Sequence, residues 1–253
     1  MKRKNIAIFC GLGLLTGFLA GFFGIGGGGV IVPVLVAFGF SQRSAAATSL
    51  LAILPTAVAG VVTYIVGGEI DYAVAVVLAC GVVIGAQIGT KLLSILPERW
   101  LRWSFAVFIL VLSAAQFLLV SSRGTDIALN VFTVMALVAL GVVTGTLSGL
   151  LGVGGGFLMV TGLTFILGGS DVAARGISLF TMIPGTISGT VRNLKNELVN
   201  IKVGLVIGAC SCITPPLGKL ALEHLTPKAA SVSVGIYLVA LFIRSIYVAA
   251  RSA

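Results

Sequence analysis

Two glycine runs, Gly24-Ile25-Gly26-Gly27-Gly28-Gly29 and Gly152-Val153-Gly154-Gly155-Gly156, interrupt long uncharged hydrophobic stretches. In hydrocarbon every backbone N–H and C=O needs an internal partner, so a spanning segment is normally one continuous helix. Consecutive glycines unwind such a helix, because glycine loses the most backbone freedom there. Non-helical backbone at membrane depth is tolerated only where it is buried in protein or lines a cavity. Two such breaks in corresponding places are the sequence pointer to the binding site of a secondary transporter.

The surroundings of the runs repeat as well. Gly13, Gly17, Gly21, Gly24 and Gly26 return 128 positions later as Gly141, Gly145, Gly149, Gly152 and Gly154. Further along the offset is 129, pairing Ser49 with Ser178, Pro55 with Pro184, Gly60 with Gly189 and Gly89 with Gly218. The chain reads as an internal duplication, with a first membrane repeat over 5–122 and a second over 127–250.

Hydrophobic residues make up 58% of the chain and charged residues 9%, against roughly 25% charged in a soluble domain. This composition predicts an all-α integral membrane protein, a polytopic helical bundle of about eight hydrophobic segments in two homologous repeats with glycine-broken helices. Segments long enough to cross, at about 20 residues each, run 44–67, 72–96, 100–120, 174–192, 200–221 and 229–249. Two longer ones, 5–40 and 127–169, must bend or break: roughly 35 residues of helix would be about 50 Å long against a hydrocarbon core of about 30 Å.

Lys2, Arg3 and Lys4 before the first apolar run favour a cytoplasmic start, and eight crossings bring the carboxyl terminus back to the same side. Because residues 13–26 recur at 141–154, the first segment is expected to be retained rather than cleaved as a signal peptide. Polar connections are short, as at Ser41–Ser44 and Gly67–Asp71, and leave no room for an extramembrane domain. The +9 balance is what loops facing anionic lipid carry, and no nucleic-acid patch is present.

Gly24, Gly26 and Gly29 satisfy G-x-G-x-x-G, but that fingerprint needs a preceding strand and a βαβ unit, and Phe157 takes the last glycine position in the second copy. The spaced sets Gly13-Gly17-Gly21 and Gly81-Gly85-Gly89 read as helix packing stripes. Glycines in a row are different. After each run the chain becomes helical again, with Pro33 placed in the first turn of the new helix. A half-helix amino terminus presents free N–H groups and a positive dipole end, which suits a small anion. The candidate substrate-binding residues are Gly24, Gly26, Gly27, Gly28, Gly29, Gly152, Gly154, Gly155 and Gly156, forming paired anion cradles.

Thr48, Ser49 and Ser178 start the segments after the breaks and either donate to an anion or serve as helix caps and back-bonding hydroxyls. Arg175 either supplies a fixed positive charge or snorkels to headgroups from a loop; Lys91 and Lys219 read as snorkellers. Gln87 lies inside a span and must find a partner in the bundle. The four cysteines, Cys10, Cys80, Cys210 and Cys212, lie in apolar stretches without further metal ligands, so neither metal nor cofactor is expected. All seven acidic residues and the single histidine, His224, fall in or beside expected loops, so the intramembrane carboxylate of a proton relay is missing. A catalytic constellation is also missing, which argues against an enzyme.

The doubled glycine motif, Ala47-Thr48-Ser49-Leu50, Pro55, Gly68-Glu69-Ile70-Asp71, Gly85-Ala86-Gln87-Ile88-Gly89, Ala174-Arg175-Gly176-Ile177-Ser178 and Pro184 together resemble the sulfite exporter TauE/SafE family of membrane transporters over nearly the whole length. One departure is Thr161 where the first copy has Pro33. The resemblance implies export of a small sulfur oxyanion or organosulfonate, from a multi-pass protein of the plasma membrane, the inner membrane of a prokaryote. Uptake of such an anion and a non-transporting scaffold subunit remain alternatives. The expected partners are the small anionic substrate and the lipid bilayer.

Overall fold

The computed structural model describes residues 3–118, 130–166 and 170–224, with Gly168 and isolated positions at 232, 235, 236, 239 and 243. No strand occurs among the described residues. The elements in chain order are α1 (Arg3–Phe23), α2 (Gly28–Ala37), α3 (Gln42–Val66), α4 (Tyr72–Ile95), α5 (Glu98–Leu118), α6 (Val131–Leu151), α7 (Gly156–Thr161) with a π-helical continuation Gly162–Ile166, α8 (Asp171–Lys195), α9 (Ile201–Ser211) and α10 (Pro215–Glu223). The chain is an all-α polytopic membrane protein. Within α1 the span Ile6–Phe23 is long and apolar enough to cross a membrane, as are α3, α4 and α6, while α9 and α10 reach that length and hydropathy only together, as a pair bent by 47°.

Both over-long segments break at their glycines, between α1 and α2 and between α6 and α7. The expected segment 229–249 lies almost wholly outside the described residues. The expected continuous span 200–221 is in fact two helices. Its bend follows from Pro215-Pro216: proline disfavours helix at the residue before it and has no N–H to return. A second correction concerns Pro33. Helix α2 begins at Gly28, so Pro33 sits in its second turn and has no N–H to give the Gly29 carbonyl.

Local chemistry sets the helix starts. Ser41 accepts from the Ser44 N–H at 3.1 Å, Asp71 from Ala73 and Val74 at 3.0 and 3.1 Å, Asn130 from Thr133 at 2.8 Å, and Asn200 from Val203 at 3.2 Å. Each cap satisfies a first-turn donor that the helix itself leaves orphaned. Helices α1 and α6 are 21 residues each, and α3 and α8 are 25 each.

The interior is not purely aliphatic, and the surface is not polar. Thr16, Thr48, Ser49, Thr144, Ser178, Thr181 and Ser211 are buried, while Val62, Val76, Ile84, Val111, Phe132 and Leu205 are exposed. That inversion fits lipid, where apolar side chains gain nothing by leaving the tails and small residues and hydroxyls hold helices together. The glycine stripes pack as expected. Gly81, Gly85 and Gly89 of α4 face the backbone of α6, and a Cβ added to Gly149 would lie 2.7 Å from the Ala86 carbonyl. Gly13, Gly17 and Gly21 of α1 likewise face the backbone of α9 and α10. Each break is thereby fixed by a helix pair that joins the two halves.

Candidate functional site

The two breaks cross. A Cβ on Gly28 would lie 2.6 Å from the Gly152 carbonyl oxygen and 2.7 Å from Val153 Cα. Reciprocally, one on Gly156 would lie 2.6 Å from both the Gly24 carbonyl oxygen and Ile25 Cα. Gly24, Gly26 and Gly27 have φ of 72, 67 and 76°, and Gly152, Gly154 and Gly155 have 70, 85 and 77°. Three left-handed residues per break turn the chain out of one helix and into the next at matching positions, a conformation glycine adopts without a Cβ penalty. Ile25 and Val153 between them are buried.

Two serines hold this crossing together. Ser49 on α3 donates to the Gly152 carbonyl at 2.7 Å, and Ser178 on α8 donates to the Gly24 carbonyl at 2.9 Å. Each hydroxyl thus spans from its own half to the break of the other. Their single protons are committed to these carbonyls, so in this structure the serines act on the break rather than on a bound ion. Replacing either by alanine leaves a buried carbonyl without a donor, at about 1–3 kcal/mol. Ser49→Ala and Ser178→Ala are expected to lower the melting temperature in detergent by several degrees; unchanged melting of both would show that the bonds do not hold the crossing.

Thr48 is buried, and its hydroxyl accepts the Asn200 N–H at 3.0 Å, tying α3 to the start of α9 away from the glycines. The loop expected around Arg175 is helix. Because α8 starts at Asp171, Arg175 stands in its second turn and is 3% exposed. Its Nε and Nη2 donate to Asp171 Oδ2 at 3.1 and 2.7 Å, and Nη1 donates to the Phe22 carbonyl. It also packs on the break, since a Cβ on Gly24 would lie 2.7 Å from Arg175 Cβ. The guanidinium charge is therefore matched by a carboxylate, and its position is that of a clasp on the first break. Lys219, expected at headgroups, is buried as well: its Nζ lies 2.7 Å from Glu69 Oε2, donates to the Thr63 carbonyl at 3.2 Å and stands 5.1 Å from the Tyr64 ring centre. Gln87 finds its partners in Ser188 and Arg192.

Two residues not singled out from sequence line the crossing. Ile53 and Met182, both fully buried, meet Gly26 and Gly154: Met182 Sδ is 3.0 Å from a Cβ on Gly26, and Ile53 Cδ1 is 3.2 Å from one on Gly154. They are 129 apart, the same sequence offset that pairs Ser49 with Ser178.

The backbone donors of the breaks are the chemical feature of the site. Helices α3, α4, α6 and α9 have side-chain caps, but Gly27 and Gly155, which cap α2 and α7, offer none. The N–H groups of Gly26, Gly27, Gly154 and Gly155 reach no acceptor among the described residues, although all four residues are buried. The first-turn N–H groups of α2, from Gly28 and Gly29, extend this set, because a helix start leaves them orphaned. Buried N–H groups without an acceptor are rare in folded proteins, and these cluster at two positive helix ends.

A family model described as sulfite exporter TauE/SafE matches residues 1–116 and 137–253. The probable membrane transporter protein YunE of Bacillus subtilis (strain 168) is 24% identical over 267 residues, covering 96% of this chain and 98% of its own. A probable membrane transporter protein of Xylella fastidiosa (strain Temecula1 / ATCC 700964) is 26% identical over 81% of this chain and 80% of its own. Sulfite exporter TauE/SafE family protein 5 of Arabidopsis thaliana is 29% identical over 43% of this chain and 25% of its own. No solved structure matches.

Proposed function

The chain belongs to the sulfite exporter TauE/SafE family, and from that premise we propose that it is a transporter, not an enzyme, that moves a small sulfur oxyanion or organosulfonate across the plasma membrane through the crossing of its two glycine breaks. The observation that carries this reading is the set of buried N–H groups at Gly26, Gly27, Gly154 and Gly155 that reach no acceptor among the described residues. An oxyanion supplies the missing acceptors without a counter-charge on the protein, and the positive ends of two helices favour it. Arg175 does not compete for this role, because Asp171 already neutralises it.

The same electrostatics set the energetics. Asp171, the acidic group tied to the break through Arg175, is held in an ion pair, and Glu69 is paired with Lys219. Both carboxylates are thus engaged by basic side chains of the protein itself. The membrane potential then drives export, since one charge moved through the full field gains about 2.3 kcal/mol per 100 mV.

The test is anion flux in proteoliposomes, comparing sulfite, ethanesulfonate, sulfate and chloride under an imposed potential. Sulfite or ethanesulfonate flux is expected to exceed chloride flux, to follow the potential and to stay indifferent to a pH gradient at fixed potential. Absence of flux for every anion overturns the transporter reading. Strong dependence of ethanesulfonate flux on the pH gradient overturns the uniport reading, with His224, Glu69 and Glu197 the first proton carriers to test.

A further inference from the structure

The two halves are not equivalent around the breaks. Counted at the 129-residue offset, Tyr64 corresponds to Asn193, Lys219 to Thr90, Arg175 to Ala46 and Asp171 to Gln42. Beside the first break these positions are filled and paired. Tyr64 is fully buried, its hydroxyl donates to the Gly21 carbonyl at 2.8 Å, one turn before Gly24, and its ring lies under the Lys219 ammonium. Beside the second break three of the four side chains are smaller, Gln42 being the exception, and two polar ones on α8 are unsatisfied among the described residues. Asn193 is 0% exposed, yet neither its Oδ1 nor its Nδ2 has a hydrogen-bond partner among the described residues. Thr190, 5% exposed and one turn earlier on α8, has an unpartnered hydroxyl as well.

A buried amide with both ends unpaired costs stability unless something else satisfies it. Its place in the repeat says where the gap lies. Where the Tyr64 hydroxyl donates to the Gly21 carbonyl, Asn193 makes no such bond, and Thr90, which packs against both Gly149 and Gly189, ties this end of α8 to the helix that enters the second break. Arg192, anchored on α4 by the Gln87 carbonyl at 3.0 Å, puts a positive charge on the same turn.

We propose that Asn193 and Thr190 form an oxyanion subsite in the second half, beside the Gly152–Gly156 break and at the repeat position that Tyr64 occupies in the first half, a subsite that becomes accessible during transport. The Asn193 amide and the Thr190 hydroxyl donate to oxyanion oxygens, and Asn193 Oδ1 accepts from water accompanying the ion. This rests on the transporter reading and names the side-chain contacts that backbone glycines cannot supply. It also makes the site one-sided: the ion enters past Asn193, while the Tyr64, Lys219 and Glu69 cluster seals the opposite half.

The test uses the full chain in proteoliposomes. Asn193→Leu keeps the volume and removes the unpaired amide, so a merely structural asparagine would be replaced with equal or higher melting temperature and unchanged flux. For a subsite residue, the KM for ethanesulfonate is expected to rise about tenfold to a hundredfold with melting preserved, and Thr190→Val to act in the same direction. As a second readout, Asn193→Cys in a background with Cys10, Cys80, Cys210 and Cys212 replaced by serine is labelled by a charged, membrane-impermeant maleimide, and ethanesulfonate slows the labelling. Wild-type KM in Asn193→Leu, or no labelling of Asn193→Cys, overturns the subsite. If the wild-type protein moves no anion but ethanesulfonate still protects the thiol of Asn193→Cys, the transport reading fails and the subsite stands; if there is neither transport nor labelling, both fail.

Discussion

Alanine at Gly28 or at Gly156 is expected to remove anion flux almost completely, although each substitution adds a single methyl group. Neither residue has a left-handed φ, so the effect is not backbone strain. The added Cβ would lie 2.6 Å from a backbone carbonyl of the opposite break, with a backbone Cα at 2.7 Å in one case and 2.6 Å in the other. Backbone cannot rotate away as a side chain does, and the two breaks must part by several tenths of an ångström. Overpacking of this kind costs about 1–3 kcal/mol, which a helical bundle survives, while N–H groups meant to converge on one ion no longer do so. Gly11→Ala is the matched control, since nothing lies within 4 Å of its added Cβ; its flux should equal that of wild type. Flux per folded molecule, normalised by fluorescence-detected chromatography, checks the comparison. Valine at Gly27 is a less clean probe, because φ is 76° and Thr16 Cβ would be 2.5 Å from the new Cβ, so the fold suffers with the site.

Removing Arg175 is expected to give the largest loss of stability. Arg175→Met leaves Asp171 without its counter-ion and the Phe22 carbonyl without a donor. Breaking a buried pair costs about 3–5 kcal/mol, and the lower figure applies because Asp171 is 23% exposed. For a chain of this length that is roughly 10 °C of melting temperature. The double replacement Arg175→Met with Asp171→Leu is expected to recover most of it, since swapping a whole buried pair for apolar groups is often neutral. A double variant no more stable than the single would mean that Arg175 acts through packing on Gly24 and not through its charge.

The glycine runs and the repeat offset were legible because both are local or periodic. Consecutive glycines have one reading inside a hydrophobic segment, and the offset that pairs Ser49 with Ser178 also pairs their hydrogen bonds across the crossing. The start of α8 was within reach as well. Asp171 and Arg175 are spaced i, i+4, the spacing of a helical ion pair, so reading them as helix would have replaced the snorkelling arginine with the clasp. Pro215-Pro216 likewise marked the bend that splits the span 200–221. The Lys219–Glu69 pair was out of reach, because its partners are 150 positions apart and only the packing of α10 on α3 brings them together. The unpartnered amide of Asn193 was invisible as well: the expected span 174–192 stops one residue before it, whereas α8 runs to Lys195 and buries it.

The account stands most directly on the break amides themselves. Protein labelled with 15N-glycine and reconstituted in liposomes gives those amides as solid-state NMR resonances, assigned by the loss of single peaks in glycine variants and followed as ethanesulfonate is added. The N–H groups of Gly26, Gly27, Gly154 and Gly155 are expected to shift together and saturably, as new acceptors form, while Gly81, Gly85 and Gly89 in the packing stripe stay fixed. Unshifted break glycines at concentrations that saturate flux would contradict the claim that the paired breaks hold the ion.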